Sequence, residues 1–478
     1  MDSTNPQSNP LKRHKSLNPN PNSLDRLSNL PESLIHHILS FMDTKHVVQS
    51  SVLSSMWKHY WKSVSFLNFD RNCDKYISDK MFKSFLDDVM YRRFGFKSVT
   101  QKFRVDFGEF WKVRMLELPE EVFECKSLRV LELGFKLHWP SNVLDLPETI
   151  NLPRLKCLKL SSIIFMEDIG KLFSSCPVLE TLGIYFCSFA EDTDLIISAM
   201  KLKSLVIEDF VMRGHLSESK IKIHAPSLTS FRCKDFMVND YRLGKFSSLV
   251  SADIDMAIDG AVDLEGFGVY IEKKGKHGQR VLSTFKKLCA VQTLRLSSWS
   301  LQFLSDVLDE LHNQATLFHN LRTLNVKTFC SSACYRSLTC LLKSLPNVET
   351  LVMHSEKDIC SSLQDGVDSF VTQLSKKQHN EQWEKELSAQ CMFRHLKLVE
   401  IRNFKGCKIE VEFLEFLLKN ALSLEKLVVT NYKACSSIEE EFKSFPCASS
   451  SVVMSFSGDR HSKRDVIQDN KSAKGSCR

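Results

Sequence analysis

"KLFSSCPVLETLGI", residues 171–184, carries the pattern that decides the fold. An apolar helical end at Leu172 and Phe173 leads through a polar turn to an apolar run at Leu179, Leu182 and Ile184. "CLLKSLPNVETLVM" (340–353) and "FLLKNALSLEKLVV" (416–429) align with it without gaps. Weaker copies of the last element start at Leu128, Leu155, Leu202, Leu228, Leu249, Val291, Leu321 and Leu396. Successive starts lie mostly 21 to 30 residues apart, the interval at which one strand and one return segment make a solenoid coil.

The pattern predicts a leucine-rich-repeat solenoid with a curved parallel sheet. Alternation along each strand sends Leu131 and Leu133, or Leu294 and Leu296, inward, and leaves the residue between them on the concave face. One coil buries too few side chains to offset the entropy of ordering its backbone, so only stacking stabilises it. Two intervals are long, 42 residues from Leu249 to Val291 and 48 from Val348 to Leu396. Each is expected to hold a degenerate coil or an excursion. The second contains "SKKQHNEQWEKELSAQ" (375–390), which reads as an exposed loop or helix face.

The same register supplies a test of partner class. The intervening strand residues are Glu132, Lys159, Gly183, Val206, Arg232, Asp253, Arg295, Asn325, Val352, Glu400 and Val428. Acids balance bases, so this face lacks the one-sign stripe that tracks a phosphate backbone and suits a protein target. Lys159, Arg232, Arg295, Asn325, Val352 and Val428 are the candidate target-binding positions.

Ahead of the repeats stands "NLPESLIHHILSFM", residues 29–42. Pro31 suits the first helical position, and Leu34, Ile35, Ile38, Leu39 and Met42 recur at helical spacing, with Phe41 widening the stripe. Asp43 or Thr44 can cap a second helix carrying Val47, Val48, Val52 and Leu53; Ser54 can cap a third with Trp57 and Trp61 one turn apart. Helices this short need tertiary contacts, and some forty residues seldom close a core without disulfides, metal or a partner. The segment therefore either seals the next domain or offers its surplus apolar surface to another subunit.

Residues 25–70, from "DRLSNLPESL" to "NFD", resemble a plant F-box through the Leu30-Pro31 start, "SFMDTK", "SVLS" and Trp57. Gln49, Ser55 and Met56 stand where such domains commonly carry basic residues. The segment Cys391–Val429 resembles the FBD region that follows the repeats in many of these proteins. The resemblance implies an α/β chain arranged as an all-helical F-box at 25–64, a leucine-rich-repeat solenoid at 65–390 and FBD-like terminal repeats at 391–432. Polar, disordered tails are expected at 1–24 and 433–478. It further implies a non-catalytic substrate receptor of a cullin-based ubiquitin ligase, docked on a Skp-family adaptor and, through it, on a cullin. Leu30, Pro31, Leu34, Ile35, Ile38, Leu53 and Trp57 would form the adaptor site, with Leu34 and Leu53 straddling surface and core and Trp57 mainly tying the third helix down. The alternative is a repeat protein that binds or sequesters a partner outside any ligase, its F-box-like helices serving only as a cap.

Other chemistry is not signalled. No phosphate loop, zinc helix or nucleophile elbow occurs. "DIDMAIDG" (253–260) lacks a ligand at Ala257 and reads as a strand end and turn, and "KKGKHGQR" (273–280) reads as a solvated basic loop. His36 and His37 read as surface histidines. No cofactor or metal is expected. The net charge of +7 lies largely in the two tails, which argues against a nucleic-acid surface. "LKRHK" could serve as a nuclear localisation patch. The sixteen cysteines are scattered without an export signal and read as reduced thiols, including Cys330, Cys334 and Cys340. No apolar run is long enough for a membrane span, and "GSCR" lacks a prenylation spacing, so a soluble protein of nucleus or cytoplasm is expected.

Overall fold

The computed structural model describes residues 30–458 apart from 54–56, 74–77, 95–98, 109–114, 138, 141, 167–168, 190–192, 211–219, 237–239, 258–273, 313–317, 357–392, 433–439 and 441. The tails before residue 30 and after 458, the basic "LKRHK" run and the charged 375–390 stretch lie outside these residues. The chain divides into two compact units, Met1–Val64 and Ser65–Arg478.

Among its described residues the first unit holds three short α-helices. α1 spans Glu32–Leu39, α2 Thr44–Gln49 and α3 Trp57–Ser63. Pro31 is the N-cap of α1 and not its first helical residue: its φ of −55° fits either place, but its ψ of 143° is extended. Asp43 caps α2 by accepting from the Lys45 N–H at 2.8 Å. α2 ends at Gln49 and passes into a 3-10 turn at Ser50–Val52, so Val52 and Leu53 lie beyond the helix that was to carry them. His36 Nε2 lies 3.0 Å from Ser63 Oγ, and its ring meets Tyr60 edge-on at 5.7 Å; together these contacts tie α1 to α3.

Among the described residues, the second unit is built on one sheet of fourteen strands. Each strand pairs parallel with the next, and the register carries a single row across all of them: Asn68, Arg104, Glu132, Lys159, Gly183, Val206, Arg232, Asp253, Arg295, Asn325, Val352, Glu400, Val428 and Ser455. All eleven positions read from the repeats fall in that row. Their neighbours Leu131, Leu133, Leu294 and Leu296 are buried as expected, at 0 to 3% exposure. The solenoid is longer than the repeats disclosed. Phe66–Asp70 and Lys102–Asp106 precede the first recognised copy, and Val453–Gly458 follows the last. The expected tail from 433 therefore begins too early, because Phe442 is fully buried and Val453–Gly458 still pairs in the sheet.

Across both long intervals the flanking strands pair with each other directly, Ser251–Ala257 with Thr293–Leu296 and Thr350–Ser355 with Leu398–Arg402. The first contains the helix Lys274–Lys287. "KKGKHGQR" thus opens a helix instead of forming a solvated loop, and His277 is buried beside the Phe303 ring at 5.6 Å. The return limbs change along the unit. Early coils pair them in small parallel sheets, a four-stranded one that includes Ile163–Phe165 and a three-stranded one of Leu195–Ser198, Lys220–His224 and Asp240–Leu243. Later coils return through helices, including Ser298–Leu304, Ser332–Lys343 and Lys408–Asn420. Ser162, Phe186, Asp209 and Asn403, each directly after a sheet strand, take left-handed φ of 48° to 58° where the chain turns away.

Candidate functional site

α1 carries two neighbouring apolar stripes with opposite fates. Ile35 and Leu39 are fully buried, whereas Leu34 and Ile38 are 48% and 39% exposed, and Phe41, just beyond the end of the helix, is 77% exposed. Across the 3-10 turn, Val52 and Leu53 are exposed as well, at 85% and 64%. Pro31 is exposed and Leu30 half-buried. Five large apolar side chains left in water in so small a unit mark an interaction surface. Ile35 and Trp57 drop out of the expected adaptor site: both are buried in this chain and offer no surface. Spacing alone could not separate Leu34 from Ile35, because consecutive residues stand about 100° apart and the apolar arc is wide enough for both. Phe41 and Val52 belong to the exposed set although neither was singled out as a contact.

On the large sheet, the central row and its neighbours form cross-strand ion pairs. Glu132 lies 3.6 Å from both Arg104 and Lys159. Arg232 lies 3.4 Å from Glu208 and 3.6 Å from Asp253. Lys327 joins Asp255 at 2.8 Å to Glu356 at 3.6 Å. Burial holds the Asp253 carboxyl above its ordinary value against the pull of Arg232 and Arg295. Of the candidate target positions, Arg232 and Arg295 are exposed, and Lys159, Asn325, Val352 and Val428 are half-buried. Gly183 departs from the row in being buried: the Tyr185 ring lies across it, 2.6 Å from where a Cβ would stand.

Three family models match the chain. The F-box domain model covers residues 27–69, the LRR repeats of the FBD-associated F-box protein At5g56370 cover 98–253, and the FBD model covers 386–429. The chain has the domain set of the plant F-box/FBD/LRR-repeat proteins. Among its relatives in Arabidopsis thaliana, putative F-box/LRR-repeat protein At3g58920 is 27% identical over 84% of this chain and 92% of its own length. F-box/FBD/LRR-repeat protein At1g78750 is 27% identical over 85% and 90%. F-box/FBD/LRR-repeat protein At1g51370 is 26% identical over 90% and 95%. The F-box thus coincides with the helices that expose Leu34, Ile38 and Phe41, and the FBD match ends within the strand Lys426–Tyr432, inside the continuing sheet.

Close to the FBD strands, Cys330 and Cys407 are joined in a disulfide across 77 residues, which corrects the expectation of reduced thiols for this pair. Stacking of coils brings them together, a proximity that spacing along the chain cannot register. Cys334 and Cys340 are buried and lie outside this disulfide. Among the described residues, Cys330, Cys407 and Glu410 place ligand-type atoms within 4.8 Å of one another. Glu410 is already engaged: it accepts from the Lys405 and Gly406 N–H groups at 3.0 and 2.9 Å and from Ser355 Oγ. That arrangement orders the start of the Lys408–Asn420 helix in the manner of a capping-box glutamate. No helix among the described residues is long and apolar enough to cross a membrane.

Proposed function

We propose that this chain is a substrate receptor of a cullin-type ubiquitin ligase, with the F-box docked on a Skp-family adaptor and the large sheet binding a protein target. The observation that carries this reading is the exposure of Leu34, Ile38 and Phe41, together with that of Val52 and Leu53. Helices that served only to seal the repeats would have no use for a second uncovered stripe. F-box domains generally bind adaptors of the Skp family, and the receptor then acts by raising the local concentration of its target near a conjugating enzyme, without bond chemistry of its own.

The mixed charges of the sheet face suit a protein partner recognised at several separate anchors. Truncating a well-buried interface anchor costs on the order of 2 kcal/mol, so Leu34→Ala with Ile38→Ala is expected to cut adaptor affinity by at least about tenfold. Thermal unfolding of the repeats should be unchanged. Ile35→Ala is expected to act differently, through a cavity costing about 2 to 5 kcal/mol of F-box stability. Co-purification of adaptor at native levels by the folded double variant would refute the docking surface.

A further inference from the structure

Cys330 and Cys407 sit where two helices begin. Cys330 directly precedes Ser331, the N-cap of Ser332–Lys343, and Cys407 is itself the N-cap of Lys408–Asn420. Helix N-termini favour negative charge on a nearby sulfur, the form in which cysteine reacts with oxidants. Both residues are half-buried and so within reach of solvent. Buried cysteines are poorly placed to react: burial pushes the Cys176 and Cys187 thiols up to about 12 and that of Cys334 up to about 11. The pair also spans a coil, since the strand Thr350–Ser355 lies in the sheet between the strands that lead to Cys330 and Cys407. The two helices meet directly through the Tyr335 and Phe413 rings, 5.2 Å apart.

We infer that Cys330 and Cys407 are a reversible oxidation site, closed by a hydroperoxide and opened by thiols, that locks the loops before these two helices. One thiol takes the distal peroxide oxygen, releasing water from hydrogen peroxide and leaving a sulfenic acid; the second thiol attacks that sulfur, and another water departs with the remaining thiol proton. Two electrons pass from the dithiol to the peroxide. The closed bond holds the Lys405–Cys407 loop on Glu410, whose other oxygen takes Ser355 Oγ at the end of the intervening strand. Oxidation therefore stiffens the loops that follow these strands, beside Glu356 and Lys327, whose value for target binding rests on the function proposed above.

The test uses the full chain, reduced and freed of reductant, then treated with graded hydrogen peroxide, alkylated and mapped by mass. Cys330 and Cys407 are expected to lose alkylation together and before Cys289 and Cys447, to form one cross-linked peptide pair, and to recover in dithiothreitol. Hydrogen exchange at the Lys405 and Gly406 amides should slow by about tenfold on oxidation, and not in Cys330→Ser or Cys407→Ala. Continued alkylation of the pair after the other accessible thiols have oxidised overturns the site. Equal exchange in the two redox states, or the same slowing in both variants, overturns the lock. Neither readout involves adaptor or target, so a failure here is distinct from a failure of the ligase assignment.

Discussion

Glu180 stands between two lysines at the start of three neighbouring strands, with Lys156 at 2.6 Å and Lys203 at 2.8 Å. Hydrogen bonds from these ammonium groups push its carboxyl from 4.5 down to about 2. A carboxylate whose folded pKa is depressed contributes stability above its unfolded value and loses it as pH falls through the folded one. The contribution is therefore complete above about pH 4.5 and gone near pH 2. Solvent screens the triad, which limits the effect to about 1 kcal/mol. Glu180→Gln is expected to flatten the acid limb of thermal stability between these limits while changing the neutral midpoint slightly. An unaltered acid limb would show that the two lysines do not hold the charge. The sequence placed Glu180 beside a strand start, but Lys156 and Lys203 are more than twenty residues away in either direction, and only register brings them to it.

The helix Lys274–Lys287 illustrates the same limit for whole elements. Lys274, Lys276 and the two glycines Gly275 and Gly278 gave its first turns the composition of a loop, and its apolar residues begin only at Val281. Gly278 is what lets it settle. A Cβ there would stand 2.8 Å from the Phe303 carbonyl oxygen and 3.1 Å from Val307. Alanine gains about 1 kcal/mol in helix propensity over glycine, but overpacking costs about 1 to 3 kcal/mol, and the obstructing atom is backbone that cannot rotate aside. Gly278→Val should therefore lower the denaturation free energy by about 2 kcal/mol or more, measured by urea unfolding, whereas a stabilised variant would mean that the two helices have room to part. Strong repeats were legible because Leu182, Leu351 and Leu427 each occupy the same fixed place in an apolar hexad. The strand Lys102–Asp106 was not, although Phe103 and Val105 alternate correctly, because Thr100 stands where the recognised copies open with Leu or Val; Phe66–Asp70, with Val64, Leu67 and Phe69 in the full spacing, was hidden by lying directly behind the third helix.

At the scale of the molecule, a stack of parallel strands has two open edges, and an uncovered edge pairs with other chains. Val453–Gly458 forms one end of the sheet, alongside Lys426–Tyr432. Phe442 anchors this closing segment, fully buried, with its ring 5.5 Å from Phe404 and stacked on Phe456 at 5.8 Å. Compositional polarity after residue 432 suggested a tail, and that polarity concealed one aromatic anchor and a six-residue strand. A chain cut after Tyr432 loses the Phe442 contacts, a loss of about 3 to 5 kcal/mol by analogy with removal of a buried phenylalanine, and also bares the edge of Lys426–Tyr432. Such a chain is expected to unfold at lower temperature and to elute as oligomers, whereas a cut after Gly458 should leave both oligomeric state and midpoint unchanged. Light scattering of the two truncations decides the matter: a monomeric and equally stable shorter chain would mean that the solenoid ends with the FBD strands and that Val453–Gly458 only decorates it.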